Sequence, residues 1–91
     1  MIKADLVQAV ASNLGLDRVV VKAVLDDAMS EVRKAIAKKD SVYLRGFGTF
    51  SAKLRKEKRG QNISAKETVI IPEHYVPHFK PCPDFKEQVA E

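Results

Sequence analysis

The chain has 91 residues, a net charge of +4 and a single cysteine. One cysteine excludes an internal disulfide, and no CxxC pair is present to suggest a zinc ribbon. A chain this short buries only about 60–65% of the surface that its unfolded form exposes, so a second subunit is the expected supplement to its core.

Residues 3–14, KADLVQAVASNL, place Leu6, Val7, Val10 and Leu14 at helical spacing. Gly15 suits the left-handed position past a helix end, and Asp17 suits the cap of a second helix over residues 18–38. In that helix Val21, Val24, Leu25, Ala28, Val32, Ala35 and Ile36 form a wide apolar stripe, with Asp26, Asp27, Arg33 and Lys34 largely off it. The pair reads as a helical hairpin.

After Asp40 the period changes to two. SVYLRGFGTFSAKL alternates Val42 and Leu44 with Tyr43 and Arg45, is punctuated by Gly46 and Gly48, and continues as a strand into a basic segment. A second strand, KETVIIP, is expected to pair with it as one hairpin whose tip lies near Asn62. From Ala52 to that tip is about 30 Å of strand at ~3.3 Å per residue. Such an isolated ribbon is marginally stable in water, so it reads as a flexible arm that orders on a partner. Pro77, Pro81 and Pro83 predict extended chain beyond Pro72. Pro83 then opens a short helix carrying Phe85 and Val89.

Residues 53–66 hold Lys53, Arg55, Lys56, Lys58, Arg59 and Lys66 against Glu57 alone. The remaining chain holds ten cations and eleven acids. All the excess positive charge therefore sits on the arm, which argues for a directed anionic partner. The arm's turn carries Ile63, which reads either as a cover for the hairpin's own aliphatic stems or as an apolar contact for that partner. Phe47, Phe50 and Phe79 exceed what one small body encloses and predict a core shared by two chains.

In order, LRGFGTF at 44–50, RGQNIS at 59–64, IIP at 70–72 and VPHFKP at 76–81 resemble the bacterial histone-like family of HU and integration host factor. The resemblance spans residues 1–90. It implies an α+β fold in which two chains intertwine, with a helical-hairpin body (3–38), a β-saddle and arm (41–73), and a C-terminal segment and helix (74–91), all within one domain, 1–91. It implies double-stranded DNA as partner, gripped through the minor groove by two ribbon arms. Carried over by position, the DNA-binding residues are Lys3, Gly46, Lys53, Arg55, Lys58, Ile63, Lys80 and Lys86; the other arm residues Lys56, Arg59, Gln61, Asn62 and Lys66 are expected to bind DNA beside them. Ile63 is the wedge between base steps, and Phe47, Phe50 and Phe79 form the shared aromatic core. Two positions depart from the family pattern: Ile63 stands where proline is usual, and Gln61 where arginine is usual. Isoleucine remains an apolar wedge. The loss of charge at Gln61 leaves Arg59 as a partial substitute.

His74, His78 and Cys82 are spaced by four, but Pro77 and Pro81 are expected to interrupt any regular element there, and no fourth ligand is apparent. No metal, cofactor or small-molecule substrate is expected. Ser41, His74 and Asp84 offer no nucleophile setting, and the GFG turn joins strands rather than opening a phosphate-cradling helix, so catalysis is not expected. Tyr43 and Tyr75 read as sheet-packing residues, with base stacking as the other use. No apolar run reaches the roughly 18–20 residues of a membrane span, and the N-terminus lacks a signal-peptide pattern. The expectation is a cytoplasmic, nucleoid-associated homodimer that bends DNA with little sequence preference. The alternatives are a heterodimer with a paralogue, an integration-host-factor-type subunit that binds specific deformable sites, and, more distantly, a protein–protein adaptor.

Overall fold

The computed structural model describes residues 1–62 and 67–90. The chain divides into two compact units, residues 1–34 and 35–91. In the first, helix α1 spans Lys3–Leu14 and starts where the Asp5 carboxylate accepts from the Ile2 backbone N–H at 2.8 Å. It ends on Gly15 in the left-handed conformation, with the Gly15 and Leu16 N–H groups donating to the Ala11 carbonyl. Asp17 then accepts from the Val19 N–H at 3.0 Å and opens helix α2, Arg18–Ala37. Both boundaries follow the local cap chemistry read from the sequence.

The core of this unit is small. Val7, Ala11 and Val21 are buried, with Val10 and Leu25 packed against them. Leu14, Val19 and Val24 are at least 64% exposed. Full burial of a Val- or Leu-sized side chain contributes only about 1.5–3 kcal/mol. Ordering each residue's backbone costs about 1–2 kcal/mol. The two helices therefore require further apolar cover.

In the second unit α2 closes on Lys39, which takes a left-handed φ of 67°. The Asp40 N–H donates back to the Ala35 carbonyl at 2.9 Å. Strands β1 (Val42–Leu44), β2 (Gly48–Arg55) and β5 (His74–Pro81) form an antiparallel sheet in the order β1-β2-β5. Strands β3 (Lys58–Asn62) and β4 (Glu67–Ile71) form a second, two-stranded sheet. Helix α3 follows over Pro83–Ala90, with Pro83 at its first position as expected.

The two sheets share one register. Arg55 lies opposite His74 and Lys58 opposite Ile71, so pairing resumes without slip across Lys56–Glu57 and Pro72–Glu73. Pro72 has no N–H to give to a ladder, which accounts for an interruption at that point. The β1 pairing ends at Val42 opposite Phe50. From Ser51 to Asn62 the ribbon is therefore two-stranded, about 36 Å at ~3.3 Å per residue and close to the expected length.

Two expectations are corrected: β2 pairs with β5, while the strand read from KETVIIP, β4, pairs with β3. Residues 74–81 are a strand, not merely extended chain, and Pro77 and Pro81 lie within it. β5 is the edge of its sheet, where a missing N–H can face away from the ladder.

Candidate nucleic-acid interface

Strand alternation sorts β2 and β5 into two chemically distinct faces. On one face Thr49 pairs with Lys80, Ser51 with His78, Lys53 with Val76, and Arg55 with His74. Tyr43 joins this face through its pairing with Thr49. On the other, Phe50 pairs with Phe79, Ala52 with Pro77, and Leu54 with Tyr75. The Phe50 and Phe79 rings lie 4.7 Å apart, which fixes the aromatic side. Phe47 adds to them at 5.0 Å from Phe79, and Phe85 of α3 stacks on Phe47 at 5.4 Å with 19° between planes. The aromatic cluster anchors the ribbon's root and leaves the cations on the far side.

Lys53, Arg55 and Lys80 are exposed on that cationic face, and none forms an ion pair among the described residues. Lys56, Lys58 and Arg59 continue the exposed positive charge outward along the ribbon. Gly46, at φ 83°, sits in the turn between β1 and β2. A depression of about 380 Å³ beside that turn is rimmed by Arg45, Gly46, Thr49 and Lys80. Lys86 is exposed on α3. Gln61 and Asn62 occupy backbone positions opposite Thr68 and Glu67. Ile63 and Lys66 lie outside the described residues.

Within this chain Phe47, Phe50 and Phe79, the aromatic core named from the resemblance, contact one another, and Phe85 joins them. Phe47 remains 45% exposed. Tyr43 and Tyr75 are not packed in the sheet: they are 78% and 53% exposed. Tyr43 stands on the cationic face, and Tyr75 lies beneath the Lys39 ammonium at 4.9 Å. His74 and His78, read from the sequence as interrupted by Pro77, share a face of one continuous strand.

The family model described as "Bacterial DNA-binding protein" matches residues 1–90. The chain belongs to this family. It is 41% identical to the DNA-binding protein HU of Thermus thermophilus over 98% of this chain and 92% of that protein. With integration host factor subunit beta of Paraburkholderia phytofirmans it is 45% identical, over 76% of this chain and 61% of that protein. Among solved structures, the Anabaena HU–DNA cocrystal structure matches at a TM-score of 0.94 and 37% identity, covering 99% of this chain and 98% of that one. HU from Thermotoga maritima matches at 0.69 and 28% identity, covering 98% of each chain. The fold is thus the α+β fold of the HU family, a family of DNA-binding proteins rather than enzymes. No described helix is long and apolar enough to cross a membrane.

In this member of the HU family Lys3 is already engaged. Its ammonium donates to Asp26 at 2.8 Å. The hydrogen bond from Lys3, more than the nearby charges of Lys3 and Lys22, holds the Asp26 carboxyl below its ordinary 3.8. A lowered folded value means that the pair's contribution is present above the ordinary value and lost as pH falls through the lower one. Lys3→Ala should return the Asp26 titration, followed by carboxyl-carbon NMR, toward 3.8. An unmoved titration would show that Lys3 is not the cause.

Sequence reasoning passes over Arg45, Thr49 and the two histidines as interface candidates. The alternation of residues 43–45 gives a hint of Arg45. Placing the histidines beside Lys53 and Arg55 requires the β2–β5 register.

Proposed function

We propose that this chain is an architectural, sequence-tolerant double-stranded DNA-binding protein acting as a homodimer. Its two ribbon arms enter the minor groove, neutralise phosphate with Lys53, Arg55, Lys56, Lys58, Arg59 and Lys66, and position Gln61, Asn62 and Ile63 at the bases. The duplex rests against Gly46, Lys80, Lys86 and Lys3. Ile63 inserts as an apolar wedge, unstacking a base step at a cost of a few kcal/mol that is offset by the DNA wrapped against the body. The observation that carries this reading is the two-faced ribbon, with cations that form no ion pair among the described residues opposite an aromatic root. The apolar surface that α1 and α2 leave exposed supports the second subunit. Residues 1–91 then act as one DNA-binding domain in the cytoplasm, on the nucleoid.

The HU type is favoured over the integration-host-factor type because the HU relatives align with nearly the whole chain, whereas that match spans 76% of it. The minor groove distinguishes little beyond A·T from G·C, so deformable or already bent duplexes are the preferred targets. The test pairs binding with end-to-end fluorescence transfer on a doubly labelled duplex. Ile63→Ala should reduce bending more than affinity. Equal bending by both proteins would reject the wedge, and a straight bound duplex with the unaltered protein would reject the architectural role.

A further inference from the structure

We propose that His74 and His78 are phosphate-binding groups of the ribbon, so that the grip on a duplex tightens as pH falls. The inference rests on the DNA-binding reading and extends it to residues outside the cation set. Both imidazoles project from β5 on the cationic face, His74 opposite Arg55 and His78 opposite Ser51. The charged or titratable groups sharing that face are Lys53 and Arg55 from β2, Lys80 from β5 and Tyr43 from β1. Within the paired strands none of its described residues is a carboxylate; Glu57, two positions beyond Arg55 on the same alternation, lies outside them and is exposed. Glu73, adjacent to His74, precedes the strand and is exposed. An anion approaching Lys53, Arg55 and Lys80 therefore meets both imidazoles.

The geometry of His74 makes protonation decisive. Its Nδ1 lies 2.9 Å from the Pro72 carbonyl oxygen. A carbonyl only accepts, so in the neutral ring Nδ1 carries the proton and Nε2 is left as an acceptor. An acceptor nitrogen cannot bond a phosphate oxygen. Protonation converts Nε2 into a charged donor while Nδ1 keeps its carbonyl partner. The paired strands place no described acid on this face to compete for that charge, and a bound phosphate supplies an opposite one directly. By linkage, binding that favours the imidazolium takes up protons, and acid favours binding to the same extent. Histidine changes charge between about pH 5 and 8, so the effect falls in a range where lysine and arginine stay fully charged.

The test measures duplex dissociation constants at fixed ionic strength for the unaltered protein and for a His74→Gln/His78→Gln variant. Glutamine keeps a polar side chain without the titration. From about pH 8 to about pH 5.5 the unaltered protein should bind at least ~10-fold more tightly, and the variant should change by no more than about 2-fold. Histidine-ring NMR titrations with and without duplex give a second readout that does not depend on the variant's folding. Both rings should titrate at higher pH in the complex. Equal pH dependence in the two proteins, or ring titrations unmoved by DNA, overturns the proposal. Failure of the unaltered protein to bind duplex even at pH 8 would instead overturn the DNA-binding reading, because the arm cations alone suffice there.

Discussion

Raising monovalent salt from about 50 to about 200 mM should weaken duplex binding by roughly 10³–10⁵. Lys53, Arg55 and Lys80 on each ribbon face, together with Lys56, Lys58 and Arg59 beyond them, let a dimer reach the ~6–10 phosphates that produce such a dependence. These side chains are exposed and lack acidic partners among the described residues, so little internal ion pairing has to be broken first. Lys53→Ala/Arg55→Ala removes two contacts per chain. It should flatten the slope of log affinity against log salt by about 3–4 in a homodimer. A slope near zero for the unaltered protein would mean that phosphate neutralisation is not the driving force. An unchanged slope in the double variant would place the contacts elsewhere.

Gly48→Ala should be the most damaging small change in the chain. A Cβ at that position would stand 2.5 Å from the Lys80 carbonyl oxygen and 2.6 and 2.7 Å from two Phe79 ring carbons. Neither neighbour yields easily. The oxygen belongs to the backbone of the paired strand, and the Phe79 ring is hemmed in by Phe50 at 4.7 Å and Phe47 at 5.0 Å. Overpacking of this kind costs about 1–3 kcal/mol, and more where backbone must move. In a domain of this size each kcal/mol lowers Tm by about 4–8 °C. Gly60 provides the comparison, since a Cβ there meets nothing within 4 Å. Gly60→Ala should melt within a few degrees of the unaltered protein, as expected where a glycine is replaced without strain. Equal melting of the two alanine variants would show that the close approach at Gly48 carries no energetic weight.

The parts of this fold legible in the sequence are those set by near neighbours. Gly15 and Asp17 mark the helix junction because a left-handed cap and an amide-accepting carboxylate act within a few residues. The basic arm is legible for a similar reason: most of its charges lie within seven residues of one another. What failed depends on residues far apart in the chain. Pro77 counts against a strand unless that strand is known to lie at a sheet edge. Tyr43 reads as packed until β1 is seen to present it on the solvent side. Phe85 enters the aromatic cluster only because α3 returns to Phe47. The steric demand at Gly48 comes from Phe79 and Lys80. The candidate site divides the same way, with its cations visible as a run and its histidines visible only through the β2–β5 pairing.

The unslipped pairing across Lys56–Glu57 and Pro72–Glu73 has a mechanical consequence. A joint without ladder bonds lets the outer segment swivel about the ribbon's long axis, as a wrist turns on a forearm. Because neither side gains or loses a residue, the pairing itself does not transpose one set of side chains to the opposite surface. Deleting a single residue from one side only would do so, since a one-position shift in a strand inverts its two surfaces. The equal count on the two sides therefore places Arg59 on the same alternation as Lys53 and Arg55, and Lys58 on the opposite one, so the distal charge is presented on both surfaces of the ribbon.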